Sequence, residues 1–176
     1  MNGHPGGERH TERMIELCAL PPGSRVLDMG AGAGDAVARL RAQGYSALGI
    51  DIRPRGGDVM RGDLLRTGFV GGSFDAIFSQ CAFYVSGDQR GALRESFRLL
   101  KSGGVLVVSD VFFESPEPLI RSAGFTAVHI EDLTEEWRTY YFSALWSGEA
   151  DCCTNIKGKC GYYMLLCRKE VPDGSF

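Results

Sequence analysis

Residues 26–40 read VLDMGAGAGDAVARL. Val26 and Leu27 open an apolar run that delivers Asp28 and is closed by Gly30. Residues 30–34 alternate glycine with alanine, and from Asp35 the spacing of Val37, Leu40 and Arg41 is helical, with a stop at Gly44. A buried strand, a glycine turn and a helix in that order are the opening unit of an α/β sheet. Ligands of such sheets sit outside the carboxyl ends of the strands, where glycine lets them approach the backbone closely.

Reading outward gives the same alternation. SALGID (46–51), a short stretch near 58–61, FDAIFSQ (74–80), VLVVSDVFF (105–113), TAVHIEDL (126–133) and GYYMLLCRKE (161–170) have strand character. ERHTERMIELCAL (8–20), GDQRGALRESFRLLKSGG (87–104), PLIRSAGF (118–125) and TEEWRTYYFSALWSG (134–148) have helical character. In the second of these, Leu93, Phe97 and Leu100 point inward and Gly103 and Gly104 form the stop. The expected fold is a doubly wound α/β single domain with a seven-stranded, mostly parallel sheet. Its last strand is expected to be antiparallel, inserted by a hairpin-like return from the sixth. Residues 1–8, with three glycines and a proline, are expected to be a flexible arm, and residues 9–176 the domain.

The chain has 176 residues, long enough for a core that needs no disulfide or metal. Its 19 basic against 22 acidic residues give a net charge of −3, which argues against a nucleic-acid partner. No run of 18 apolar residues exists to span a membrane, and MNGHPGGERH holds no apolar leader. A cytoplasmic location with reduced cysteines is expected.

The ligand class follows from the turn. A dinucleotide loop is G-x-G-x-x-G/A, whereas residues 30–35 read G-A-G-A-G-D with Asp35 in the third glycine slot. No G-K-[ST] follows, so a P-loop is excluded. Asp28 and Asp35 would repel a diphosphate, and acids around a glycine turn suit a ligand with positive charge.

In these residues the sequence resembles the class I S-adenosylmethionine-dependent methyltransferases of small-molecule type. The resemblance is carried by VLDMGAGAG, the acid of LGIDI at Asp51, the GDL of Gly62–Leu64, FDAIFSQ and KSGGVLVVSD (101–110), and spans roughly residues 9 to 130. It implies S-adenosylmethionine as methyl donor, S-adenosylhomocysteine as product, and these cofactor contacts: Gly30, Ala31, Gly32 and Gly34 under the methionine moiety, Asp28 orienting the turn or receiving the ammonium, Asp51 accepting both ribose hydroxyls, and Ile52 packing on adenine. Asp63, with the Leu64 amide nearby, would accept from the adenine amino group, although Asp58 offers a second acid in the same stretch. Ser79, Gln80 and Cys81 would border the transferred methyl.

On the acceptor side, Tyr84 and Asp110 follow strands at the substrate edge, and Asp110 alternatively caps a turn. No catalytic residue stands out. His129 is out of phase with Val128 and Ile130 and is expected to face away from their surface; His4 and His10 lie in an N-terminal segment that either folds over the cofactor or stays free. No C-x-x-C is present, so no metal site is expected. Cys152, Cys153 and Cys160, with Cys81, would instead make a soft pocket for a thiophilic acceptor such as arsenite or a selenium compound, while Cys18 and Cys167 read as core. The aromatics of WRTYYFSALW, Trp137 to Trp146, read as core or dimer interface. The short link after VFFE leaves the acceptor side open, or completed by the N-terminal segment, a second copy or a partner protein. Three rival readings stand beside this one: a cofactor-binding subunit without turnover, a nicotinamide-dependent oxidoreductase, and a methyltransferase acting on protein or RNA.

Overall fold

A computed structural model describes residues 6–147 and 158–170. In chain order the elements are α1 (Gly7–Cys18), β1 (Arg25–Met29), α2 (Asp35–Ala42), β2 (Ser46–Asp51), β3 (Val59–Arg61), β4 (Phe74–Gln80), α3 (Gln89–Leu99), β5 (Leu100–Phe112), α4 (Pro116–Ser122), β6 (Phe125–Asp132), α5 (Thr134–Ser147) and β7 (Gly161–Lys169). The strands form one sheet in the order β3-β2-β1-β4-β5-β7-β6. The first five pair in parallel, and β7 runs antiparallel to both β5 and β6. This is the expected seven-stranded α/β sheet.

Alternation along the central strands builds a core on each face. Val26, Phe78, Val107 and Met164 pack with Met14 and Ile15 of α1, Val37 and Leu40 of α2, and Trp137 of α5. Their neighbours Leu27, Ile77, Leu106 and Leu165 pack on the other face with Leu93 and Leu99 of α3 and Ile120 of α4. Each such side chain contributes roughly 1.5–3 kcal/mol of burial free energy. Strands covered on both sides explain why β1, β4 and β5 read as nearly unbroken apolar runs.

Two expectations change. The α1 helix begins at Gly7, so residues 7 and 8 of the expected arm are its first turn; residues 1–5, His4 included, lie outside the described residues. The α3 helix ends at Leu99 rather than at Gly103, and Leu100 already pairs with Phe74. Lys169 Nζ donates to the Phe97 and Leu100 carbonyls, both at 2.7 Å, and satisfies the helix end there. β7 returns antiparallel beside β6 by way of α5, whose Trp137 lies parallel to the Tyr162 ring of β7. On β6, His129 faces away from the exposed Val128 and Ile130, as expected, and Glu131 on the His129 side meets Arg13 of α1 at 2.8 Å.

The connection from β2 to β3 is unusual. Parallel neighbours need a crossover of about a dozen residues, yet residues 52–58 suffice here and form no helix. The link closes by lying on the glycine turn: Arg55 N donates to Gly32 O at 2.9 Å, and a Cβ on Gly56 would stand 2.1 Å from Ala33 O.

Beyond β3 the chain is clasped to α3. Glu95 accepts from Thr67 N and Oγ1 at 3.0 and 2.6 Å, and from Arg98 at 2.8 and 2.7 Å. Arg98, with Thr67, holds the Glu95 carboxyl down at about 2. A lowered acid stabilises the fold at neutral pH and loses that contribution as pH falls from the ordinary glutamate range toward 2. Replacing Glu95 with glutamine should lower stability by about 1–3 kcal/mol at pH 7 and flatten the acid limb of a pH-dependent urea titration.

Candidate cofactor and methyl-acceptor site

The sheet order reverses between β1 and β4, which opens a crevice at their carboxyl ends. The glycine turn lies in it. Gly30 N and Ala31 N both donate to Ile50 O at 2.9 Å, and Gly34 N donates to Ala31 O at 2.8 Å. Gly30 and Gly34 adopt φ of 89° and 91°, a region that side-chain-bearing residues avoid. A Cβ on Gly30 would stand 2.2 Å from the Ala82 Cβ, so the turn is pressed against the chain leaving β4.

Asp51 fixes the turn from the side. Its Oδ2 accepts from Gly32 N at 2.9 Å and its Oδ1 from Arg53 N at 2.7 Å. Each carboxylate oxygen retains a second lone pair for a ligand hydroxyl. Ile52 beside it is exposed, as an adenine-packing residue would be before a ring covers it.

Asp28 is only 3% exposed and has no hydrogen-bond or ion-pair partner among the described residues. Burial, and then the nearby charge of Asp51, push its carboxyl up to about 7. An acid kept in this state waits for a counter-charge. Asp63 is exposed, with Oδ1 accepting from Leu65 N at 2.8 Å in a local turn, and Leu64 is half-buried against the α3 face. Asp58 is paired with Arg41 at 2.9 Å, which leaves Asp63 as the acid of this stretch without an ion-pair partner.

Two expected site residues are drawn away from the crevice. Ser79 is fully buried, and its hydroxyl donates to Met29 O at 2.7 Å, stitching β4 to β1. Asp110 is fully buried and accepts from Phe83 N, Tyr84 N and Val111 N at 2.8, 3.1 and 2.7 Å. It therefore caps the loop after β4 rather than facing an acceptor; burial raises its carboxyl to about 6 against the pull of those amides. Ser79 sits one residue and Asp110 two residues inside the end of its strand, where their polar groups are taken up by neighbouring backbone.

The other acceptor-side candidates do meet at the edge. Gln80 Oε1 accepts from Thr11 Oγ1 of α1 at 3.2 Å. Cys81, at φ 54°, is buried with its Sγ 3.2 Å from the Tyr162 hydroxyl. Tyr84 lies 5.7 Å from the exposed Phe113, and with Val85 they form an apolar shelf. Cys160 is half-buried near this core, Cys18 and Cys167 are buried, and Cys152 and Cys153 lie outside the described residues. No cluster of three metal-ligating side chains occurs among the described residues. The chain reading missed Thr11, Arg55 and Gly56, all brought to the site by contacts distant in sequence; the Gly56-Gly57 pair was the one available signal.

Comparison with known proteins agrees with this geometry. Residues 27–108 match the family described as a methyltransferase domain. The chain is 34% identical over 119 residues to the arsenite methyltransferase of Aquipseudomonas alcaligenes, covering 53% of this chain and 34% of that protein. It is 32% identical over 126 residues to the demethylmenaquinone methyltransferase of Thermus thermophilus, covering 62% and 56%. Thus it spans about a third to just over half the length of these curated relatives. Among solved structures, the Haemonchus contortus phosphoethanolamine N-methyltransferase 2 in complex with S-adenosyl-L-methionine superposes with a TM-score of 0.75 at 16% identity, over 96% of this chain and 54% of that one, a likeness of fold. Residues 27–108 are thus similar to a methyltransferase domain, and the chain shares its fold with a solved methyltransferase.

Proposed function

We propose that this chain moves a methyl group from S-adenosylmethionine to a small-molecule acceptor and releases S-adenosylhomocysteine. The observation that carries this reading is Asp28, a buried carboxylate without a partner at the mouth of a glycine turn. The donor supplies a methyl group already activated on a sulfonium, together with an ammonium that matches Asp28. Asp51 would take the ribose hydroxyls, Ile52 and Leu64 the faces of the adenine, and Asp63 its amino group. Gly30, Ala31, Gly32 and Gly34 would line the methionine chain. Methyl transfer is an in-line displacement, so alignment supplies most of the acceleration. The Tyr84 and Phe113 rings, 5.7 Å apart after β4 and β5, favour an acceptor with a flat apolar body. The curated relatives act on acceptors as different as arsenite and a demethylmenaquinone. Cys81 at the end of β4 is the observation in favour of a thiophilic acceptor, and labelled methyl transfer to arsenite against a hydroquinone decides between them. A cytoplasmic location accords with this reading, and no helix among the described residues is long and apolar enough to cross a membrane.

Removing Asp51 should cost two charge-assisted bonds. Calorimetry on Asp51→Ala should therefore find S-adenosylmethionine bound roughly ten- to a hundredfold more weakly; an unchanged affinity removes Asp51 from the site.

Asp28 separates stability from binding. Its carboxyl is raised, so the free protein holds the proton longer than the unfolded chain and loses stability as pH climbs from about 4 to about 7. Affinity for a cationic ligand should rise over the upper part of that same range. Asp28→Asn should be more stable than the parent at pH 8 by thermal melting, yet bind S-adenosylmethionine at least about tenfold more weakly.

A further inference from the structure

Two short segments meet where the parallel strands β4 and β5 end. The loop after β4 carries Ala82, Phe83 and Tyr84, and the chain leaving β5 carries Phe113. Ala82 presses on the glycine turn, since a Cβ on Gly30 would stand 2.2 Å from the Ala82 Cβ. Phe83, 1% exposed, sinks into the core on the α3 side, whereas Tyr84 packs against the core on the α1 side. The Tyr84 ring lies 5.7 Å from that of Phe113, inclined at 46°. One loop therefore touches the glycine turn at Ala82 and carries half of an aromatic pair at Tyr84.

The loop closes on itself through Ser86 N to Ala82 O at 3.0 Å, Gly87 N to Tyr84 O at 3.0 Å and Ser86 Oγ to Phe83 O at 2.6 Å. These bonds shape the turn but do not aim it. Asp110 of β5 aims it. Its Oδ2 accepts from Phe83 N at 2.8 Å and from Tyr84 N at 3.1 Å, and its Oδ1 from Val111 N at 2.7 Å. Two consecutive amides on one oxygen fix the path of the loop, and the Val111 amide ties the same carboxylate to the chain that leads to Phe113. Gln89 Nε2 donates to Val111 O at 2.8 Å and holds that chain from the start of α3. Burying a carboxylate completely is costly. Here the amides that offset the cost belong to the loop after β4 and to the end of β5, and no charged side chain pairs with Asp110 among the described residues.

We propose that Asp110 is the positioning residue for the methyl acceptor: it holds the loop of Ala82, Phe83 and Tyr84 against both the glycine turn and the chain leading to Phe113, so that a flat apolar acceptor lodges on the two rings at a fixed distance from the donor. This rests on the methyl-transfer reading above and adds to it a residue that touches neither ligand. Asparagine in place of Asp110 keeps the shape but has one acceptor oxygen, and its amide would point an N–H at a backbone N–H on the other side. Either the loop at Tyr84 or the chain at Val111 is then released.

The test uses 2-naphthol, a neutral fused-ring probe, on the full chain. NMR titration should place it on Tyr84 and Phe113 in the parent, and Phe113→Ala should weaken it at least about tenfold; a probe that binds equally well without the Phe113 ring overturns the proposal. Asp110→Asn should also weaken naphthol by about tenfold or more, while calorimetry finds S-adenosylmethionine bound within about threefold of the parent. Unchanged naphthol affinity overturns the role of Asp110. So does an equal loss for both ligands, which is the result a general loosening of the fold would give. Should Asp110→Asn not fold, the parent decides: the Asp110 carboxyl-carbon resonance should move along the same naphthol binding curve as the Tyr84 amide, and a stationary carboxyl resonance overturns the proposal. If the parent does not bind S-adenosylmethionine, the methyl-transfer reading fails and this proposal with it, whereas donor binding with naphthol indifferent to Asp110 sinks the proposal alone.

Discussion

A carboxylate held out of water without a counter-charge is an expensive thing for a fold to keep. Asp28 is such a group, and much of the surrounding architecture serves to hold it there. The sheet supplies rigidity: β1 lies between β2 and β4, so the Asp28 backbone cannot retreat toward solvent. The glycine turn that follows hangs from Ile50 O and from the Asp51 carboxylate. Asp51 therefore acts twice, fixing the turn and raising the cost of ionising Asp28. A cation at the mouth relieves both acids together, which links ligand charge to loop geometry by plain electrostatics.

The link between β2 and β3 adds a second constraint. With no crossover helix, this segment has to rest on the turn, and Gly56 is needed because any side chain there would meet Ala33 O. The guanidinium of Arg55 lies over Gly32 for the same reason. The outer side of the glycine turn is thus covered by the backbone of this link and by the Arg55 side chain. The acceptor side is built differently. Two helices far apart in sequence, α1 and α5, converge on Tyr162.

The geometry of the glycine turn was largely legible from the chain. Asp28, Asp51 and the glycines lie within short motifs whose spacing is set by one strand and one turn, and local geometry places them. Ser79 and Asp110 fail for a common reason. Both stand near strand ends, where phase decides between crevice and sheet, and period-two alternation does not tell how far the pairing extends. The end of α3 was set by Lys169, a partner from the other end of the chain that no local signal announces.

What the sequence by itself determined was the α/β order, the glycine turn and the acid character of its mouth, because these depend on near neighbours and on the periods of strand and helix. Only the tertiary structure decided that Asp28 would lack a partner, that Asp110 would become a cap, and that His10, Thr11, Gln80, Cys81 and Tyr162 would meet at one edge. Those outcomes depend on which distant groups compete for the same hydrogen bonds and the same buried volume, and that competition is settled only when the sheet closes.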